Sequence, residues 1–172
     1  MSGRILGIDL GERRIGLALA DEDGLSARPL ATIQRGSGPD ADALAVARIV
    51  EEQGIGALVV GLPLEAGGNE GTMAIAARAW GTALAAQLGL PLFFRDERLS
   101  SHVAESRLGP MPRGRSGGPP SRTQRARYRE RVDREAAAII LQDELEARRS
   151  GEAPVRARAR PGESSQPIDG GR

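Results

Sequence analysis

The chain has 172 residues, of which 40% are hydrophobic, so it can form one domain with appendages around a real core. It has no Cys and one His, His102, which excludes disulfides, thiolate zinc sites, cysteine nucleophiles and multi-histidine metal centres. Its aromatics are Trp80, Phe93, Phe94 and Tyr128, too few for a base-stacking platform. Carboxylates, arginines and backbone remain as the chemical means.

The net charge of +1 hides an asymmetry. Residues 1–106 carry 9 Arg against 14 acids, a net of −5, whereas residues 107–134 carry 9 Arg against Glu130 and Asp133, a net of +7. Every basic residue is Arg. A local excess of this size suits a phosphate-backbone partner, with Arg113, Arg115, Arg122, Arg125, Arg127, Arg129 and Arg131 at its centre. The plainer alternative is a solvated basic linker. The longest charge-free stretch, Ala79 to Phe94, is shorter than the ~20 apolar residues of a membrane span. The opening apolar run is also too short for a signal-peptide core, so the expectation is a soluble, cytoplasmic protein.

In chain order, Arg4 to Gly11 reads as a buried strand ending in Asp9 and Gly11, and Ile15 to Ala20 as its partner. With a third extended stretch, Ala27 to Gln34, these predict an antiparallel meander. Asp40 is then read as the N-cap of a helix stopped by Gly54. The run Ala57 to Gly61 predicts a strand buried on both faces. A loop from Leu62 to Gly71 leads to a helix with Met73, Ala77, Trp80, Leu84 and Leu88 on one stripe, ended by Gly89. Leu92 to Arg95 reads as the last strand, and Ser100 and Ser101 as caps of a short helix through Leu108. Residues 109–122 are dense in Pro and Gly and are expected to form a mobile basic arm. Helix returns from Thr123 to Arg149, with Val132, Ala136, Ile139, Ile140 and Asp143 marking its turns. These divide the chain into a domain over 1–149 and a disordered tail over 150–172. A meander followed by βαβ alternation and a terminal helix predicts an α/β fold, a mixed five-stranded sheet flanked by helices.

Three acids stand out. Asp9 ends the first strand between Gly7 and Gly11, which leave backbone open to a ligand; an ordinary turn aspartate would look the same. Glu97 lies at the carboxyl end of the last strand, the edge where open α/β sheets bind ligands, or else in a solvated charged loop. Asp133 borders the apolar stripe of the last helix, where a carboxylate needs either a cation or a salt bridge to one of the arginines. Oxygen-only ligands of this kind suit Mg²⁺ or Mn²⁺, which could clamp a phosphodiester between them. The glycine-rich segment Gly61, Leu62, Pro63, then Gly71 and Thr72 at a helix start, could cradle phosphate or serve only as a helix-entry loop. His102 is too isolated for a catalytic triad.

Four linked motifs carry a resemblance. They are Gly7-Ile8-Asp9-Leu10-Gly11 with Arg14-Ile15-Gly16-Leu17-Ala18, Val59 to Leu64, Asp96 to Ser101, and Val132 to Leu141. Together with Ala27 to Leu30, and in this order over about residues 4–147, they closely resemble the YqgF/RuvX family. The resemblance implies a ribonuclease-H-like fold related to the resolvase RuvC. It also implies a metal-dependent nuclease that matures the 5′ end of pre-16S rRNA, or that resolves Holliday junctions. Asp9, Glu97 and Asp133 would then be the catalytic, metal-binding acids, with Mg²⁺ or Mn²⁺. Gly61 to Leu64 would line the cleft, and Arg13, Arg14 and Arg98 would join the arginines above on pre-rRNA, branched DNA or ribosomal precursor particles. The Pro/Gly-rich arm and Arg134 depart from the family pattern. Actin-like and sugar-kinase-like ATPases use a similar Asp-x-Gly hairpin, but they need two such domains. A non-catalytic RNA-binding assembly factor is the remaining alternative. Oligomeric state is not legible.

Overall fold

A computed structural model of the chain describes residues 3–97, 100–114, 117–152 and 155–156. The first three strands, β1 (Arg4–Leu10), β2 (Arg14–Ala20) and β3 (Ala27–Gln34), form the expected antiparallel meander. Helix α1 (Pro39–Gln53) crosses over to β4 (Ile55–Leu62), which pairs in parallel with β1. Helix α2 (Thr72–Leu88) crosses to β5 (Leu92–Asp96), parallel to β4. Two further helices follow, α3 (Ser100–Leu108) and the long α4 (Arg122–Arg149).

The sheet order is β3-β2-β1-β4-β5-β6, the last being a two-residue strand, Val155–Arg156, antiparallel to β5. The five-stranded mixed sheet is therefore as expected, with a short edge addition inside the stretch expected to be disordered. Glu152 likewise pairs with Arg95 at 3.0 Å. Residues 153–154 and 157–172 of the expected tail lie outside the described residues.

Local chemistry explains the element ends. Gly54 and Gly89, with φ of 64° each, take the left-handed conformation that closes α1 and α2. Helix α1 begins at Pro39 after Gly38, so Asp40 is not its cap; a proline costs nothing in the first turn, where its amide would be unpaired anyway. The acid that matters there is Asp42, fully buried, which accepts from Gly36 N–H at 2.7 Å and Trp80 Nε1 at 2.9 Å. On α2 the stripe holds through Ala77, Trp80 and Leu84, but Met73 is 53% exposed. Ser121 caps α4 reciprocally with Gln124, and described residues of the preceding arm are stitched to the same helix. Tyr128 Oη donates to the Gly109 carbonyl at 2.8 Å, and Gln124 Nε2 to that of Arg113 at 3.2 Å.

Strand alternation sorts side chains onto two faces. Leu6, Ile8, Ile15, Leu17, Leu58, Val60 and Phe94 pack with α1 and α2. On the other face Ala18, Val59 and Phe93 meet Ala137, Ile140 and Leu141 of α4, and Gly7, Asp9, Gly16 and Gly61 share that side. Helix α3 lies against α4 through Ala104, Val132, Ala136 and Ile139.

Candidate active site

Three glycines let α4 and one acid come down onto the sheet. A Cβ at Gly7 would stand 2.6 Å from Leu141 Cβ and 2.9 Å from the Ala137 carbonyl. One at Gly16 would run into the Asp133 carbonyl, so the helix backbone rests on that strand with no side chain between. The sequence suggested that alanines on the helix would allow this approach; the glycines on the strands do more of it.

Gly16 is the cross-strand partner of Asp9. Asp133 is therefore set down beside Asp9, and its charge raises the Asp9 pKa. Glu97 arrives from the other side. Its amide donates to the Leu62 carbonyl at 3.0 Å, extending the β4–β5 ladder by one bond. A Cβ at Gly61 would fall on the Glu97 carboxylate, so the side chain lies back across β4 towards Asp9. Ser100 fixes the turn, with its amide and hydroxyl both bonded to the Glu97 carbonyl at 2.9 and 3.0 Å.

Burial first, then the Asp133 charge, pushes Asp9 from 3.8 up to about 7. Burial, then the Asp9 charge, pushes Glu97 from 4.5 up to about 8. The two carboxyls share a hydrogen bond that favours the proton on Glu97 and the charge on Asp9. Two acids this close cannot both ionise cheaply without a cation. Glu97 Oε2 is buried with no hydrogen-bond partner among the described residues. A buried, unpaired carboxylate oxygen in an oxygen-only donor set is what a hard divalent cation would satisfy, so the residues fit one.

The third acid faces elsewhere. Asp133 Oδ2 accepts from Arg14 Nε at 2.5 Å, the salt bridge that the sequence left open as an alternative. Among the described residues no group of three acidic or histidine side chains stands ready to hold a metal ion. Asp9 and Glu97 are joined, and Asp133 is beside them in the hand of an arginine.

The other expected residues divide. Arg13, Arg113, Arg122, Arg125, Arg127, Arg129 and Arg131 are exposed, the last five along the N-terminal half of α4. Arg98 and Arg115 lie outside the described residues. Gly61 and Leu62 are buried within β4 and so belong to a strand, with Pro63 just beyond it. Gly11 closes the β1–β2 hairpin, its amide bonded to the Arg14 carbonyl at 2.9 Å. At α2, Gly71 is the N-cap and Thr72 is exposed, but the Glu65 side chain crowds Gly71 and Glu70 pairs with Arg78. Acids at the mouth of that helix oppose a phosphate there.

Two features escaped the sequence reading. A cleft of about 1010 Å³ opens beside the Glu97 turn, lined among others by Arg95, Ser100, Arg107 and Ile139. Next to it, fully buried Glu144 takes Arg95 at 2.5 Å and Arg148 at 2.6 Å. The signal for both was available: Arg95 alternates with Phe93 onto the α4 face, and Glu144 follows Ala137, Ile140 and Leu141 at helical spacing.

The RuvX family model, described as Holliday junction resolvase, matches residues 3–147. The chain belongs to the RuvX family. A RuvX relative from Anaeromyxobacter sp. (strain Fw109-5), named "Putative pre-16S rRNA nuclease", is 46% identical over 145 residues, covering 84% of this chain and 98% of the relative. One of the same name from Chloroflexus aggregans is 44% identical over 147 residues, covering 85% and 95%. Among solved structures, T. thermophilus RuvC in complex with a Holliday junction substrate aligns with a TM-score of 0.51 at 16% identity, over 89% of this chain and 99% of that one. That likeness is one of fold, and the ribonuclease-H-like architecture is the one expected. RuvX membership places the chain among nucleases. Among the described residues no helix is long and apolar enough to cross a membrane.

Proposed function

We propose that this chain is a divalent-cation-dependent endonuclease that hydrolyses phosphodiester bonds, with the 5′ end of pre-16S rRNA in ribosomal precursor particles of the cytoplasm as its substrate. The observation that carries this reading is the buried Asp9–Glu97 carboxyl pair with Asp133 alongside, at the carboxyl edge of the sheet beneath an arginine-rich helix. Asp9, Glu97 and, once free of Arg14, Asp133 would hold Mg²⁺ or Mn²⁺. Such a cation, when bound, supplies positive charge at a phosphate and acidifies water.

The chain's own residues do the rest. Glu97 and Asp9 share a proton and can pass it within their hydrogen bond. The walls of β4 and α4, Val59 and Ile140 among them, keep water from the buried side. Arg122, Arg125, Arg127, Arg129 and Arg131 offer exposed guanidinium groups around the N-terminal half of α4 to a nucleic-acid backbone. The preference for RNA follows the names of the relatives and the scarcity of aromatic wedges for a junction.

The test is cleavage of a labelled precursor RNA with a single-stranded tail and of a four-way DNA junction. Each is incubated with Mg²⁺, Mn²⁺ or EDTA, with wild type beside Asp9→Asn. Metal-dependent RNA cutting that the substitution abolishes supports the proposal. Junction cutting alone moves the function to resolution of branched DNA, and binding without cutting under any metal leaves an assembly factor.

A further inference from the structure

Asp133 is the acid of the three that already has a cation. Arg14 Nε lies 2.5 Å from Oδ2 and Nη2 lies 3.5 Å from Oδ1, so both carboxylate oxygens face the guanidinium. Each side chain is only 21% exposed, which leaves the pair poorly screened by solvent. The backbone beneath Arg14 is fixed: its carbonyl accepts from Gly11, and the residue pairs with Gln34 of β3. The helix is fixed independently of this ion pair. Thr32 Oγ1 donates to the Glu130 carbonyl at 2.6 Å, and the helix backbone at Asp133 rests directly on Gly16. Glu130, one turn earlier on α4, is a second acid whose charge acts on the Arg14 guanidinium.

The distribution of charge is lopsided. Glu97 beside Asp9 has its buried Oε2 without a hydrogen-bond partner among the described residues, while the neighbouring carboxylate of Asp133 is paired with a guanidinium. A hard cation needs carboxylate oxygens with their lone pairs free. A guanidinium bound to both oxygens of Asp133 occupies them.

We propose that Arg14 is an internal counter-cation for Asp133, so that its guanidinium and a divalent cation compete for the same carboxylate. This rests on the reading of Asp9, Glu97 and Asp133 as cation ligands. The site loads fully only when Arg14 withdraws from Asp133, and Glu130 gives the released guanidinium another acid to face. Arg14 is thus a positioning residue: it holds Asp133 in place and neutralised without the cation, and sets how tightly the cation binds.

The experiment is a Mn²⁺ titration of the full chain without nucleic acid, followed by the electron paramagnetic resonance signal of the free ion. Arg14→Gln is expected to tighten Mn²⁺ binding about tenfold by removing the competing ion pair. Arg14→Lys, which keeps the charge but loses the fork, should fall between. In an Asp133→Asn background, Arg14→Gln should leave the affinity unchanged. On the wild-type chain, the ¹⁵N Nε–H resonance of Arg14 should move as Mg²⁺ saturates the site. Arg14→Gln affinity equal to or weaker than wild type overturns the proposal, because Arg14 would then orient Asp133 for the cation. So does an Arg14 resonance that stays still while Mg²⁺ binds. If neither wild type nor Arg14→Gln binds Mn²⁺, the cation reading of the three acids fails, and this proposal with it.

Discussion

The two faces of the same sheet are built on opposite rules. Towards α1 and α2 the strands present Leu6, Ile8, Ile15, Leu17, Val60 and Phe94, all fully buried, and the contact is large apolar side chain against large apolar side chain. Towards α4, beside Val59 and Phe93, the alternate residues include Gly7, Asp9, Gly16, Ala18, Gly61 and Arg95. There the helix backbone touches the strands, and charged groups fill the space that side chains leave. One face maximises buried apolar area; the other gives up some of it to set three carboxylates at fixed positions. The lesson is that stability and chemistry are separated by the two-residue period of the strand.

The separation can be broken from either side. Asp9→Asn or Glu97→Gln should lower cleavage about a thousandfold while leaving the fold intact, since each removes one carboxylate and no packing. Activity per folded molecule is the readout, and unchanged cleavage in either variant would remove these acids from the site. Leu17→Ala, one residue from Gly16 but on the opposite face, should do the reverse. It should cost about 3 kcal/mol of stability in urea while the folded fraction cleaves normally. Gly16→Val strikes both: the new side chain has to displace the α4 backbone at Asp133, so about 3 kcal/mol and the cleavage should be lost together. A Gly16→Val protein that stays fully active would mean that the close approach of α4 is not needed.

Much of this was legible in the residues because local and tertiary demands agreed. The meander, the buried β4 run and the glycine stops at 54 and 89 follow from periodicity and from φ requirements that only a few residues meet. The acids were legible as positions at strand ends and on a helix stripe. What could not be read was which partner each would find. Arg14 sits 119 positions from Asp133, and no local pattern links them. Likewise Asp40 looked like a helix cap, but Gly38 with Pro39 starts α1, which frees Asp42 to be buried against Trp80. The loop at Gly71 could be read as a phosphate cradle or a helix-entry loop because its glycines are visible in sequence, whereas the packing of Glu65 against it is not.

The arginines of α4 offer a gentler comparison, between a surface that binds and one that is only solvated. Neutralising Arg125, Arg127 and Arg129 together should weaken RNA binding and lower the slope of log affinity against log salt by about 2 to 3. Binding titrations at several salt concentrations read this directly. An unchanged slope would make these arginines merely solvated.

The smallest effect sharpens the contrast most, because it makes the chemical face act on stability. In the unfolded chain Asp9 and Glu97 ionise near 3.8 and 4.5; in the folded chain burial and mutual repulsion hold them protonated up to about 7 and 8. The folded state therefore binds more protons between those limits, so stability is greatest below about pH 4 as far as this pair is concerned and is lost as pH rises through 7 to 8. Asp21 and Glu70, whose pKa values are lowered by Ser26 and Arg78, lose their contribution only at more acid pH and do not mask the trend. In EDTA, Tm should fall between pH 6 and pH 8.5 as the pair loses its protons in the folded chain. The fall should flatten in Glu97→Gln, where Asp9 ionises beside a neutral amide, and Mg²⁺ should flatten it in wild type by balancing both charges. An equal fall in Glu97→Gln would place its source outside the carboxyl pair.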